Sequence, residues 1–309
     1  MSFDNCLYDV TIIGGGPAGL TAGIYASRAA LKTLLLERGM PGGLAATTDL
    51  IENYPGFANG VDGPELMMQM DAQARRFGLL VKSTSADSIV TKNGYYVIST
   101  PEEDIKTKTI ILASGAAPRK LNIPGEEMFH GRGISYCATC DGAFFRNQDI
   151  AVIGGGDSAV KEALYLTKFA SKVHIIHRRN EFRATKILAQ QALQHENIII
   201  HWSAVAEQIS GDSTVNEIIL RDLETNVTST LAVKGVFVYV GADPVSQLVA
   251  GRVQMDKEGY IITKEDMSTS APGIFAAGDI RQKTLRQVVT AAADGAIAAV
   301  TAEKYIEDH

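Results

Sequence analysis

Two of the three cysteines lie three positions apart in Cys137-Ala138-Thr139-Cys140, and Cys6 stands alone near the start of the chain. Thiols at this spacing close a small disulfide that exchanges with a partner, and the spacing lowers the pKa of one thiol toward reactivity. A zinc site would need a second cysteine pair or paired histidines, whereas His130, His174 and His177 lack the paired spacing, so no metal is expected. Cys6 reads as a small buried or half-buried residue. Asp141 follows Cys140 directly. Either it moves a proton as the thiolates form, or it is a solvated loop aspartate; its position leaves both readings open.

A second kind of chemistry resides in the glycines. Gly14-Gly15-Gly16-Pro17-Ala18-Gly19 follows an apolar run at 10–13 and opens a segment in which Ala, Leu and Ile recur. Gly154-Gly155-Gly156-Asp157-Ser158-Ala159 repeats the arrangement after 150–153, ahead of a helix expected through Leu166. Such glycines permit a tight turn and let backbone amides and a helix N-terminus approach a pyrophosphate. One run is a weak signal, but two runs, each after a strand and before a helix, imply two nucleotide sites.

The residues closing each unit differ. The run at 33–36 ends at Glu37, a carboxylate that accepts ribose hydroxyls and repels a ribose phosphate; it tolerates FAD or NAD, with FAD the natural candidate. The run at 172–176 ends at His177-Arg178-Arg179, with Arg183 nearby; planar guanidinium groups suit a ribose 2′-phosphate and select NADPH over NADH. A solvated basic patch is the plain alternative, and placement at a strand end argues against it.

These residues require a scaffold that returns on itself. A strand at 110–112 leads into Ala113-Ser114-Gly115-Ala116-Ala117-Pro118, and one at 236–240 into Gly241-Ala242-Asp243-Pro244, two small-residue, proline-marked crossings. The fold expected is α/β, with two Rossmann-like dinucleotide-binding domains. Residues 1–118 and 244–309 form a discontinuous FAD domain, and the inserted NADPH domain, 119–243, carries the cysteine pair. A last helix is expected over 286–305.

Composition narrows the alternatives. A chain of 309 residues, 46% hydrophobic and 21% charged, suffices for two domains with their own cores. A net charge of −6, without any run of five or six basic residues, gives no field for nucleic acid. No apolar run reaches the roughly 18 residues of a membrane span, and the first residues lack a secretory pattern, so a cytoplasmic protein is expected.

Taken together, the two fingerprints, Ser135-Tyr136-Cys137-Ala138-Thr139-Cys140-Asp141-Gly142, His177-Arg178-Arg179, Ala276-Ala277-Gly278-Asp279 and Arg286-Gln287 resemble the low-molecular-weight thioredoxin reductases of bacteria and archaea. The resemblance extends over nearly the whole chain. It implies electron transfer from NADPH through FAD to the Cys137/Cys140 disulfide and on to thioredoxin, in a homodimer. By the same resemblance Cys140 lies against the flavin, Cys137 attacks the partner's disulfide and Asp141 is the acid/base. Asp279, after Gly278, holds the ribityl chain, Arg286 and Gln287 face the flavin ring, and Gly43 and Asn53 also belong to the flavin site. The crossings near Ala116 and Gly241 serve as hinges between two domain orientations. One departure stands out: Leu44-Ala45-Ala46 follows Gly43 where the family carries glutamine and small hydroxyl residues. It supports a runner-up reading with a different electron donor or a different dithiol protein as acceptor. A non-catalytic redox sensor is the reading from another class, and it would not need both fingerprints together with the cysteine pair.

Overall fold

Runs of buried β-branched and leucine side chains build two sheets, one parallel throughout and one parallel apart from an antiparallel hairpin at its edge, each packed against core clusters on both faces. The computed structural model describes residues 7–48 and 50–309. Cys6 and the side chain of Cys140 lie outside the described residues. The chain divides into two compact units, Met1–Ala117 with Asp243–His309, and Pro118–Ala242.

In the first unit the strand Leu7–Ile13 runs parallel to Thr33–Glu37 on one side and to Asp104–Leu112 on the other. Leu80–Ser83 extends the sheet past Thr33–Glu37, and Ile274–Ala276 pairs with the end of Asp104–Leu112. Val10, Ile12, Leu35 and Ile111 meet the helices Pro17–Arg28, Gly63–Arg76 and Val288–Asp308 in one core cluster. Ile13, Leu34, Leu36, Ile110 and Leu112 belong to a second. The hairpin of Ser88–Lys92 and Tyr95–Ser99 turns at Asn93-Gly94, both at positive φ (51° and 82°), the backbone that a two-residue hairpin favours.

Two features of the last helix depart from the sequence spacing. It begins at Val288, with Gln287 in extended conformation (φ −145°) as its cap, and it continues to Asp308. The cause of the late start is a capping box: the Gln287 side chain accepts the N–H of Thr290, whose hydroxyl accepts the N–H of Gln287 at 3.2 Å. The helix also lies close against Pro17–Arg28, since a Cβ on Gly295 would stand 2.1 Å from the Ala18 carbonyl oxygen.

The second unit repeats the strand order. Asp149–Ile153 lies between Lys172–Ile176 and Gly235–Val238, with Ile198–His201 and Ile134–Ser135 at the edges, all parallel. Ile150, Val152, Val173, Ile175 and Phe237 pack on Asp157–Leu166 through Ala159, Val160 and Ala163. The opposite face packs on an antiparallel layer of Ala204–Gly211, Val215–Asp222 and Thr228–Ala232 through Ile209, Val215, Ile218 and Leu220. This layer is absent from the sequence-level expectation, because its strands are half-exposed and carry no fingerprint. Where the chain passes between units, Ala116–Pro118 pairs with Ala242–Pro244. No described helix is long and apolar enough to cross a membrane.

Candidate active site

Each unit places its glycine turn at the carboxyl end of a central strand, where the sheet order reverses; open α/β sheets bind ligands at this point. In the first turn Gly14 takes φ 107°, and a Cβ there would lie 2.5 Å from the Ala113 carbonyl oxygen. Gly16 caps Pro17–Arg28, with Pro17 in its first turn and Ala18 and Gly19 buried behind it. Gly16 and Gly43 face each other closely: a Cβ on Gly43 would stand 3.3 Å from the Gly16 Cα, and one on Gly16 4.0 Å from the Gly43 Cα. Side chains would fill the space in front of the helix N-terminus, and glycine leaves it open for a pyrophosphate.

Glu37 stands beside this turn, at the end of its strand. Its carboxylate accepts the Gly15 N–H at 2.7 Å and the Gly39 N–H at 3.0 Å, which orients the side chain before any ligand arrives. Asn53 and Gln287, far apart in sequence, meet through the Asn53 amide, which donates to Gln287 Oε1 at 2.9 Å. Leu44, in the turn Gly43–Thr47, is 48% exposed.

Asp279 bears most directly on what this unit can hold. Its Oδ1 is buried without a hydrogen-bond partner, and Arg286 Nε is likewise buried and unpartnered. Burial raises the Asp279 pKa above the ordinary range, while Lys283 and Arg286 oppose the shift. A buried carboxylate oxygen of this kind calls for a donor such as a ribityl hydroxyl. Arg286 stacks on Tyr260, 3.8 Å from the ring centroid. Asp294, which sequence reasoning missed, supports the whole corner. From the buried side of the last helix it accepts from Gly278 N–H at 3.0 Å, Arg281 at 2.9 Å and Lys283 at 2.8 Å. Its only sequence signal is an acid in an alanine-rich helical stretch. The first unit thus fits FAD.

In the second turn Gly154 takes φ 147°, and Gly156 caps Asp157–Leu166. Asp157 and Ser158 are exposed at that N-terminus and Ala159 is buried. The Asp157 carboxylate accepts the Thr185 N–H at 2.6 Å, and Arg183 N–H donates to the Gly155 carbonyl at 2.7 Å, so the segment after the arginines folds back onto the glycine turn. Arg178, Arg179 and Arg183 are exposed, and none of them has an ion-pair partner among the described residues. His177 is buried with its ring against Gly155, and it packs on Phe182 and Trp202. Burial and the neighbouring arginines lower its pKa, which keeps it neutral. It therefore supports the turn rather than adding charge to it, and the three free guanidinium groups fit a phosphorylated ribose.

Cys137 is disulfide-bonded, and Cys140 lies on the short helix Ala138–Asp141, within the same unit as the arginines. Cys137 N–H donates to Ser135 Oγ at 3.0 Å, and Cys137 Sγ lies 3.3 Å from Thr139 Oγ1. The adjoining Tyr136 hydroxyl donates to the buried Glu126 at 2.7 Å, and Glu126 also accepts from the N–H groups of Leu121 and Asn122. Asp141 closes the helix, half-buried, its N–H bonded to the Cys137 carbonyl at 3.2 Å. Ser135 stands in the cysteine motif without a role assigned from sequence, and Glu126 is marked by no motif.

Two dinucleotide turns, one acid-marked and one arginine-marked, with a disulfide in the second unit, define a nucleotide-dependent disulfide oxidoreductase. Comparison with known proteins agrees. The pyridine nucleotide-disulphide oxidoreductase family matches residues 8–295. A thioredoxin reductase of Mycolicibacterium smegmatis is 47% identical over 309 residues, covering 100% of this chain and 99% of that protein. One from Bacillus subtilis is 45% identical, covering 98% and 96%. The crystal structure of Lactococcus lactis thioredoxin reductase superposes with a TM-score of 0.94 at 48% identity, covering 98% of this chain and 100% of that one. The chain belongs to the pyridine nucleotide-disulphide oxidoreductase family, among its thioredoxin reductases.

Proposed function

We propose that this chain is an NADPH-dependent thioredoxin-disulfide reductase, with FAD in the first unit, NADPH in the second and a thioredoxin or thioredoxin-like protein as acceptor. The observation that carries the reading is the disulfide at Cys137, built into the unit whose three free arginines favour a phosphorylated nucleotide. A cytoplasmic homodimer is the expected form, which sedimentation of the purified protein tests.

When bound, FAD supplies a two-electron carrier between the nicotinamide and the disulfide. Glu37 would take the adenosine ribose hydroxyls, the Gly16 amide at the N-terminus of Pro17–Arg28 would take the pyrophosphate, since the Gly14 N–H is already given to the Leu36 carbonyl at 2.9 Å, and Asp279 would take the ribityl chain. Two electrons delivered to the disulfide break the bond between Cys137 and Cys140, and two protons complete the thiols, one of them handled by Asp141. The Cys137 thiolate then attacks the acceptor's disulfide, forming a mixed disulfide and expelling one acceptor thiol. Cys140 attacks Cys137 in turn, which restores the internal disulfide and releases the second acceptor thiol.

Anaerobic stopped-flow reduction by NADPH and, separately, by NADH tests this account, with oxidised thioredoxin added afterwards. The expected result is rapid flavin bleaching by NADPH and thioredoxin-dependent reoxidation. A colourless protein would remove the flavin reading. A flavin that neither nucleotide bleaches would favour a different electron donor, the reading that half-exposed, apolar Leu44 beside Gly43 supports.

A further inference from the structure

Tyr239 follows the strand Gly235–Val238 and belongs to neither the glycine turns nor the cysteine motif. Its hydroxyl oxygen accepts the Ala138 N–H at 2.8 Å. Ala138 lies between the two cysteines and is 1% exposed, so water cannot replace that acceptor while the turn keeps its shape. The Tyr239 ring packs in the cluster that contains Ala138, Ala159 and Ala163. Its backbone is fixed as well: Tyr239 N–H donates to the Ile153 carbonyl at 2.8 Å, and its own carbonyl lies where a Cβ on Gly154 would come within 2.4 Å. Burial, reinforced by the negative charges of Glu162 and Asp141, keeps the phenol protonated far above neutral pH. The oxygen is thus a neutral acceptor set on a rigid strand end.

We propose that Tyr239 is a positioning residue for the redox pair: its hydroxyl clamps the Ala138 amide and holds the backbone between Cys137 and Cys140 in the shape the disulfide needs. This deepens the disulfide-reductase reading and rests on it. The contacts of Ser135 and Tyr136 hold the segment before Cys137, whereas the Tyr239 bond falls between the cysteines.

The two redox states respond differently to loss of the hydroxyl. In the disulfide form the covalent bond confines the turn, and the buried amide is left without an acceptor. In the dithiol form the turn can rotate and offer the same amide to water. The disulfide therefore suffers more, because preorganisation is what raises the effective concentration of one thiol toward the other.

The test is Tyr239→Phe in the full-length flavoenzyme, which keeps the ring and removes only the oxygen. Wild type and variant are equilibrated with mixtures of glutathione and its disulfide, and the pair is read by alkylation and mass spectrometry. The reaction balances as enzyme disulfide plus two glutathiones giving enzyme dithiol plus glutathione disulfide. The expected result is a disulfide-formation constant lower by on the order of tenfold in the variant. An unchanged constant in a folded, FAD-bound variant overturns the proposal. Independently of any variant, the Ala138 amide of the oxidised wild type should exchange hydrogen slowly, and exchange as fast as in an open turn also overturns it. A wild-type pair that never exchanges with glutathione would instead remove the disulfide reading, and this proposal with it.

Discussion

Charge and hydrogen bonding at single residues decide most of the chemistry. Cys137→Ser or Cys140→Ser should abolish thioredoxin reduction while flavin bleaching by NADPH persists; turnover retained in either variant would exclude the disulfide route. Arg178→Ala with Arg179→Ala removes two donors of the charge-assisted kind, worth about 1.5–3 kcal/mol each. The KM for NADPH should rise by roughly 100-fold or more, at about 1.4 kcal/mol per tenfold, with that for NADH little changed. Asp279 gives a pH signature. Burial raises its folded-state pKa above the ordinary 3.8, so its favourable contribution is fully present below that value and is lost as pH rises through the folded value. Flavin-free Asp279→Asn protein should therefore melt above the wild type at neutral pH and match it near pH 3, while binding FAD more weakly. Equal melting at both pH values would show that the buried carboxylate carries no penalty.

At the scale of elements, the corner around Gly278 depends on one helix reaching back to it. Asp294→Ala would leave Arg281 and Lys283 without the carboxylate they share, at a cost of about 3–5 kcal/mol for a buried pair, and would free the Gly278 amide. Denaturant unfolding of the flavin-free protein checks the stability loss, and FAD retention on gel filtration should fall with it. A variant as stable as the wild type would show that the three charges are solvated. The contrast with what could be read in advance is physical. The parallel strands and the helices after each glycine turn were legible, since burial on both faces leaves continuous apolar runs and the turns are local. Asp294, Tyr239 and the antiparallel layer were not: Asp294 and Tyr239 act through partners outside their own segments, a hydroxyl one residue past a strand looks like any other, and the layer's half-exposed strands carry no fingerprint. Asn53 and Gln287 were both named from family resemblance, yet nothing in either segment says that they bond to each other. The capping box explains the late start of the last helix, a local exchange between Gln287 and Thr290 that the spacing of alanines conceals.

For the molecule as a whole, the two units stand in unequal positions. Pro118–Ala242 is one continuous stretch with its own cores on both faces of its sheet, whereas the other unit is assembled from two stretches. A fragment of residues 118–242 should fold alone and bind NADPH without FAD. Circular dichroism with cooperative melting, and calorimetric titration with the nucleotide, would check this; a molten fragment would mean that its cores need the rest of the chain. A ribosome emits roughly 5–20 residues each second. The inserted unit is therefore complete while the first unit still lacks Ile274–Ala276 and the helix Val288–Asp308, which emerge later. During that interval Ala18 and Ile110 lack the neighbours they have in the finished fold. Nascent chains halted before residue 274 should call on chaperones that those released at full length no longer need.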